Sequence, residues 1–179
     1  MEIVHENLFV DFRIPLVIDI KLIRSWLARS HVHRWWRDDG TDEFFKMLEL
    51  GNGLPEYIDM FIVDMNRCPI GYIEVRQPSR DIFGIWKNVA GLEDDMVAIK
   101  FLIGDKSLTN RRIGRLIIRT FIVKIFNDHN ISRVIAAPHP DNWAGIIMLK
   151  RLGFRDRGRI NGTGINAVLL TLSRSVFSC

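Results

Sequence analysis

The run Met96-Val97-Ala98-Ile99-Lys100-Phe101-Leu102-Ile103 is apolar at every position but one, and it leads into a polar, arginine-rich stretch that turns at once into helical spacing. A strand that is apolar on both faces has to be covered on both faces, so it belongs at the centre of a sheet. Ile113, Leu116, Ile117, Thr120 and Phe121 mark the helix that follows, which runs to about Asn127. Any fold for this chain is built around that strand, turn and helix.

The remaining elements alternate. A short strand is predicted over Asn7 to Arg13, and a helix from Asp19, where Ile20, Ile23, Trp26 and Leu27 recur at helical spacing. A loop with His31, His33, Trp35, Trp36, Asp38 and Asp39 comes next, then a short helix from Asp42 to Leu50 that stops at Gly51-Asn52-Gly53. Tyr57 to Val63 and Ile70 to Gln77 read as a hairpin, with Asp64 to Arg67 between them. Beyond the central unit, a strand over Arg133 to Ala137 is broken by Pro138-His139-Pro140-Asp141-Asn142. A helix then runs from near Asp141 to Leu152, with a glycine ending at Gly153. Strands over Arg155 to Ile160 and Ala167 to Ser173 close the chain, joined by Asn161-Gly162-Thr163-Gly164. The fold class is α/β, a mixed sheet with helices on both faces. With no repeat or linker, residues 1–179 read as a single domain.

Composition narrows the function classes. Cys68 and Cys179 offer neither a disulfide framework nor metal-ligand spacing, which fits a reducing cytoplasm. His31 and His33 have no partner at ligand spacing, so no metal is expected. The chain has no leader-like N-terminus and no apolar run near the roughly 20 residues of a membrane span, so membrane association is not expected. The net charge of +4 suits an anionic partner, and the excess lies between Lys106 and Arg119 and between Lys150 and Arg159. Nucleic acid is not the expected partner, because neither an aromatic ladder nor a recognition-helix motif is present.

Thr109, Asn110, Arg111, Arg112, Ile113, Gly114 and Arg115 form the turn that starts the central helix. Unpaired N–H groups and the helix dipole favour an anion there, the arginines add positive charge, and Gly114 lets a ligand approach the backbone. A pyrophosphate suits the site. The competing reading is a solvated helix start, although basic residues oppose the dipole at that end and need another reason to be there.

These residues carry a resemblance. IGDKSLTNRRIGRLIIR resembles the coenzyme A motif of the GNAT acyltransferase superfamily, and APHPDNWAGIIMLKRLGF resembles its following strand and helix. RSWLARSHVHRWW and PIGYIEV are similar to the aminoglycoside 6'-N-acetyltransferase branch and its siderophore-forming relatives, over roughly residues 13 to 174. The resemblance implies a GNAT-like, mostly antiparallel sheet and an N-acetyltransferase with acetyl-CoA as donor. Its pyrophosphate would lie on Thr109 to Arg115, and its pantetheine arm along the backbone of Phe101, Leu102 and Ile103, with Asn142 in contact. The acceptor would be a small-molecule primary amine, and the protein a monomer or homodimer. The family's first glycine is replaced by Arg112, the aspartate base of the aminoglycoside branch by Lys100, and its tyrosine acid by Leu149.

Acyl transfer to an amine needs somewhere for the ammonium proton to go. Lys100 serves as a base only if burial lowers its pKa, and otherwise pairs with a carboxylate or an acidic substrate. Glu74, on a strand face with Tyr72 and Arg76, and Asp94 or Asp95, at the mouth of the central strand, are the other candidates, acting through water. His139 is a further possible proton shuttle. The resemblance places the loop bearing His33, Trp35, Trp36 and Asp38 at the acceptor site. Its aromatic faces and acids suit an amino sugar, though a tryptophan packed in the core is an equal alternative.

Overall fold

Met96–Ile103 is a strand along its full predicted length, and it lies in the middle of the sheet. The computed structural model describes residues 8–36, 40–80, 86, 89–128, 130–162 and 165–177. Its strands are β1 (Val10–Arg13), β2 (Ile58–Met65), β3 (Cys68–Arg76), β4 (Met96–Ile103), β5 (Arg133–Ala136), β6 (Arg155–Gly162) and β7 (Ile165–Ser173). They form one seven-stranded sheet in the order β1-β2-β3-β4-β5-β7-β6. Every pairing is antiparallel except β4 with β5. The mixed, mostly antiparallel sheet implied by the resemblance is what the chain builds.

Helices α1 (Val17–Leu27), α2 (Ser30–His33) and α3 (Thr41–Glu49) precede β2, α4 (Ile113–Asp128) joins β4 to β5, and α5 (Trp143–Arg151) follows β5. Side-chain alternation divides the core between the two faces of the sheet. On one face Ile73, Val75 and Ile99 pack with Ile117, Phe121 and Ile125 of α4 and Leu149 of α5. On the other, Met60, Ile62, Tyr72 and Leu102 pack with Ile20, Ile23 and Trp26 of α1 and Phe44 and Phe45 of α3. Each such side chain, fully buried, contributes about 1.5–3 kcal/mol.

Local signals explain most boundaries. α1 starts just after Pro15, and the Asp19 carboxylate accepts the Leu16 N–H at 2.8 Å. The Asn142 side chain caps α5 by accepting the Gly145 N–H at 3.1 Å. The β2–β3 hairpin is tighter than predicted, since Met65 already pairs with Cys68. Asn66 and Arg67 make the turn with φ of 51° and 66°, the conformation of a type I′ hairpin. Three expectations are corrected. The loop predicted through His31 and His33 is helical over Ser30–His33, α1 begins two residues before Asp19, and β6 with β7 pairs on to Gly162 and Ile165. Thr163, Gly164, Asn7, Asp38 and Asp39 lie outside the described residues.

Candidate active site

β4 has a partner along only part of one side. It pairs with β3 from Ala98 to Ile103, but with β5 only from Met96 to Ala98. The Gly104 N–H donates to the Ile70 carbonyl of β3 at 2.8 Å, which fixes the parity of the strand. Even-numbered residues direct their backbone groups to β3, and odd-numbered ones toward β5. Past Ala98 the odd positions Ile99, Phe101 and Ile103 therefore present N–H and C=O groups along the side where β5 no longer pairs. Leu102, predicted with its neighbours to contact the coenzyme, has its backbone turned to β3 and its side chain in the core. The end of the strand is held in place. Arg29 donates to the Gly104 carbonyl at 2.8 Å, and His31 Nε2 lies 3.1 Å from the Ile103 carbonyl. A Cβ on Gly104 would sit 2.3 Å from the Trp26 indole, so only glycine fits there.

The polar turn leads into the central helix where the sequence places it. Lys106–Leu108 is one turn of 3-10 helix, capped by Asp105, whose carboxylate accepts the Ser107 N–H at 2.8 Å. Thr109 Oγ1 donates to the Lys106 carbonyl at 2.7 Å. Asn110 and Arg112 then adopt left-handed φ of 61° and 63°. The first bond closing α4 runs from the Leu116 N–H to the Arg112 carbonyl at 3.2 Å. The N–H groups of Ile113, Gly114 and Arg115 therefore have no carbonyl to meet within the helix. Arg111, Arg112 and Arg115 are all exposed around them, and α4 has no acid in its first turn. Gly114 also has a packing role that the sequence does not show. A Cβ there would meet Met148 Sδ at 3.3 Å and Ile103 Cδ1 at 3.6 Å, so it permits close packing of α4 on α5 and β4.

On the opposite face of β4, Lys100 pairs in register with Glu74 of β3. The Lys100 ammonium lies 4.1 Å from the centroid of the Trp36 ring, which in turn packs against Tyr72 at 5.7 Å. Trp36 is partly buried, and its indole N–H has no hydrogen-bond partner among the described residues. Trp35 points elsewhere, to His139 of the β5–α5 loop, with ring centroids 6.0 Å apart. The α2 segment and the β5–α5 loop thus meet beside the part of β4 that lacks a β5 partner. His33 is exposed on α2. His139 Nδ1 accepts the Asp141 N–H at 3.2 Å, so a neutral ring carries its proton on Nε2.

The structure separates three of the residues considered for proton transfer, Glu74, Asp95 and Lys100. Glu74 is fully buried, and all four of its acceptor positions are used. Oε1 takes Arg76 Nε at 2.7 Å and Nη2 at 2.6 Å, while Oε2 takes the Thr41 and Tyr72 hydroxyls at 3.0 Å each. A carboxylate bound in this way has no lone pair for a substrate proton, and it fixes α3 to the sheet instead. Asp95 lies at the start of β4, five positions from Lys100 and on the order of 16 Å away along the strand. Its carbonyl accepts the Ser132 N–H at 2.9 Å, which ties β4 to the chain entering β5. Lys100 is the one of the three that faces Trp36, with its side-chain nitrogen over the indole ring.

Comparison with known proteins decides the family. An acetyltransferase (GNAT) domain model matches residues 16–161. The chain belongs to the GNAT acetyltransferase family. It is 22% identical to an aminoglycoside N(6')-acetyltransferase type 1 of Klebsiella pneumoniae, over 98% of this chain and 88% of that one. Its fold is shared with an uncharacterized protein of Bacillus halodurans, at a TM-score of 0.82 and 20% identity over 96% and 87% of the two chains. It is also shared with an aminoglycoside acetyltransferase, AAC(6')-Ib, whose structure holds coenzyme A, at 0.79 and 22% over 94% and 96%. As a GNAT acetyltransferase the chain is an enzyme, and acetyl-CoA is its acyl donor.

Two departures from the GNAT pattern acquire a structural setting. Leu149, in place of the tyrosine acid, is buried in the core beside Ile146 and Leu152. Arg112 takes the left-handed conformation that suits the glycine it replaces. Sequence reasoning missed His31 and Arg29 as anchors of the end of β4, because a contact to a backbone carbonyl more than seventy residues away leaves no local signal. A cavity of about 190 Å³ lies under the C-terminal half of α4, between Phe61, Val97, Phe121 and Ile125. It is at the start of β4, away from the helix-start turn, and is not part of this GNAT site.

Proposed function

We propose that this GNAT acetyltransferase moves the acetyl group of acetyl-CoA to a small-molecule primary amine, using the partner-free side of β4 to hold the coenzyme. One observation carries the reading: past Ala98 a single strand turns the backbone of Phe101 and the N–H of Ile103 to a side where, among the described residues, β5 does not pair, and it leads into a helix start with N–H groups beyond the reach of the helix's own carbonyls and three arginines. The pantetheine arm carries amides that pair with Phe101 and Ile103, and the pyrophosphate suits the N–H groups of Ile113, Gly114 and Arg115 with Thr109, Asn110, Arg111 and Arg112 around them. The Asn142 side-chain oxygen is spent on the α5 cap, so a coenzyme contact from this residue uses its amide nitrogen.

The acceptor amine enters from the side of Trp35, Trp36, His33 and Lys100. Its nitrogen attacks the thioester carbonyl, a C–N bond forms, the C–S bond breaks and the coenzyme leaves as a thiolate. An outward N–H of β4 stabilises the oxyanion, which needs no particular side chain. With Glu74 saturated, water takes the ammonium proton. A thiolate with a pKa of about 8.5 departs without a dedicated acid, so Leu149 is compatible with turnover.

An aminoglycoside-type amino sugar is the acceptor supported by the relatives. One solved AAC(6')-Ib structure holds paromomycin with acetyl-CoA, at a TM-score of 0.80 and 22% identity. The Lys100 ammonium over Trp36 favours a second reading, an acceptor with a carboxylate near its amine, such as a hydroxylated lysine of the kind built into siderophores. Thiol-release assays with acetyl-CoA against aminoglycosides, polyamines and hydroxylated lysine analogues decide between them. Turnover on amino sugars alone supports the first reading, and turnover on the amino acids alone supports the second. Coenzyme binding without turnover on any amine leaves a regulatory relative and removes both.

A further inference from the structure

The cavity beneath α4 lies away from the end of β4, and its lining is part apolar and part charged. Phe61 of β2, Val75 of β3 and Val97 of β4 line it from the sheet, and Phe121 and Ile125 line it from α4. The Phe61 and Phe121 rings meet edge to face, with centroids 5.2 Å apart. At about 190 Å³ the space is smaller than a drug-sized pocket, and an apolar cavity of roughly 150 Å³ holds a benzene ring in other proteins. An occupant of this size has one ring and a short arm.

The polar part of the lining sets the charge of that arm. Asp59 is two positions before Phe61 and pairs in register with Val75, so its side chain stands on the same face of the sheet as the apolar lining. It is exposed, and its carboxylate makes no ion pair or hydrogen bond among the described residues. Asp94 is also exposed, and Ser79 donates to one of its oxygens at 2.8 Å. Glu56 lies 3.7 Å from Arg80. Lys124 is the single base among the described lining residues, so three acids and one base leave −2 in a chain whose net charge is +4. Such a site draws in a cation and repels an anion such as the coenzyme.

We propose that this cavity is a second, non-catalytic binding site for a small aromatic amine, its ring against Phe61, Val97 and Ile125 and its ammonium at Asp59. An arylalkylamine combines the size, the apolar ring and the charge that this lining accommodates. The site is separate from the place of acetyl transfer. Val97 is four positions from Phe101, on the order of 13 Å along the strand, and Ile103 is further still. An amine bound here is held and not acetylated.

An amide NMR titration of the full chain with 2-phenylethylamine at neutral pH tests the proposal. The uncharged 2-phenylethanol, of similar shape, and the variants Asp59→Asn and Val97→Phe are measured alongside. Saturable binding is expected with a dissociation constant of about 1 mM or below, and with shifts centred on Phe61, Val97 and Ile125. Loss of either charge, in the alcohol or in Asp59→Asn, should weaken binding about tenfold. Val97→Phe fills the space and should abolish it. Asp59 is exposed and distant from the coenzyme, so Asp59→Asn should keep the wild-type melting temperature and thiol-release rate, and it carries the test should Val97→Phe fail to fold. Absence of saturable binding overturns the proposal. Shifts centred on Trp36 and Lys100 would assign the amine to the acetyl-transfer side and overturn it too. Equal affinity for the amine and the alcohol, or an affinity unchanged in Asp59→Asn, overturns the assignment of the cavity to an amine.

Discussion

Arg112 shows how one residue can depart from a family pattern and keep its shape. Its φ of 63° is one that a side chain reaches at a cost of roughly 1–2 kcal/mol and glycine reaches freely. Arg112→Gly is therefore expected to stabilise the coenzyme-free protein by about 1 kcal/mol, read as a higher urea midpoint at unchanged slope. A lower midpoint would mean that the guanidinium makes a contact worth more than the strain. Glu74 is the second instructive residue. Removing its partner by Arg76→Ala leaves a buried carboxylate short of two hydrogen bonds, with an expected loss of about 3–5 kcal/mol in chemical denaturation. The role assigned to Glu74 is structural, so the folded Arg76→Ala protein should still bind acetyl-CoA with wild-type affinity.

Among the elements, α1 depends on a charge cluster at its first turn. The Asp19 carboxyl is held below the usual carboxylate range, first by its hydrogen bonds to Arg13 and then by the Leu16 N–H, against the opposing cost of burial. A folded-state value below the unfolded one means that the stabilisation is complete above about pH 4 and is lost as the pH falls through the folded value. Asp19→Asn should thus cost about 2 kcal/mol near pH 7 and converge with the wild type once the pH has fallen through the folded value. Parallel curves at all pH values would show that the ion pair is not the source. The elements that sequence alone locates well are those with a long period, β4 and α4, whose core residues repeat over eight or more positions. α2 is only four residues long and shows no period, which is why Ser30–His33 reads as loop. The site is legible where it is backbone and charge, at Phe101, Ile103 and Asn110 to Arg115. It is not legible at Glu74, whose saturation depends on Thr41 from a helix 33 positions earlier, nor at Gly114, whose partner Met148 lies on another helix.

At the scale of the molecule, one sheet divides the work. The face covered by α1, α2 and α3 brings Trp36 over Lys100, and the face covered by α4 and α5 packs the start of α4 against Ile103 at the end of β4. Between them β4 outruns β5, and the groups left over are backbone amides that survive any change of side chain. If the coenzyme lies along β4 as proposed, side chains such as those at Lys100 and Leu149 can vary without loss of that backbone frame. The most direct test of that frame is amide-resolved hydrogen exchange by NMR with and without coenzyme A. Exchange is predicted to slow at Phe101, Ile103 and Ile113 to Arg115 on adding the coenzyme, while Leu102, already turned to β3, stays as it was. Coenzyme that binds yet leaves those amides unchanged, or that fails to bind, would contradict the account.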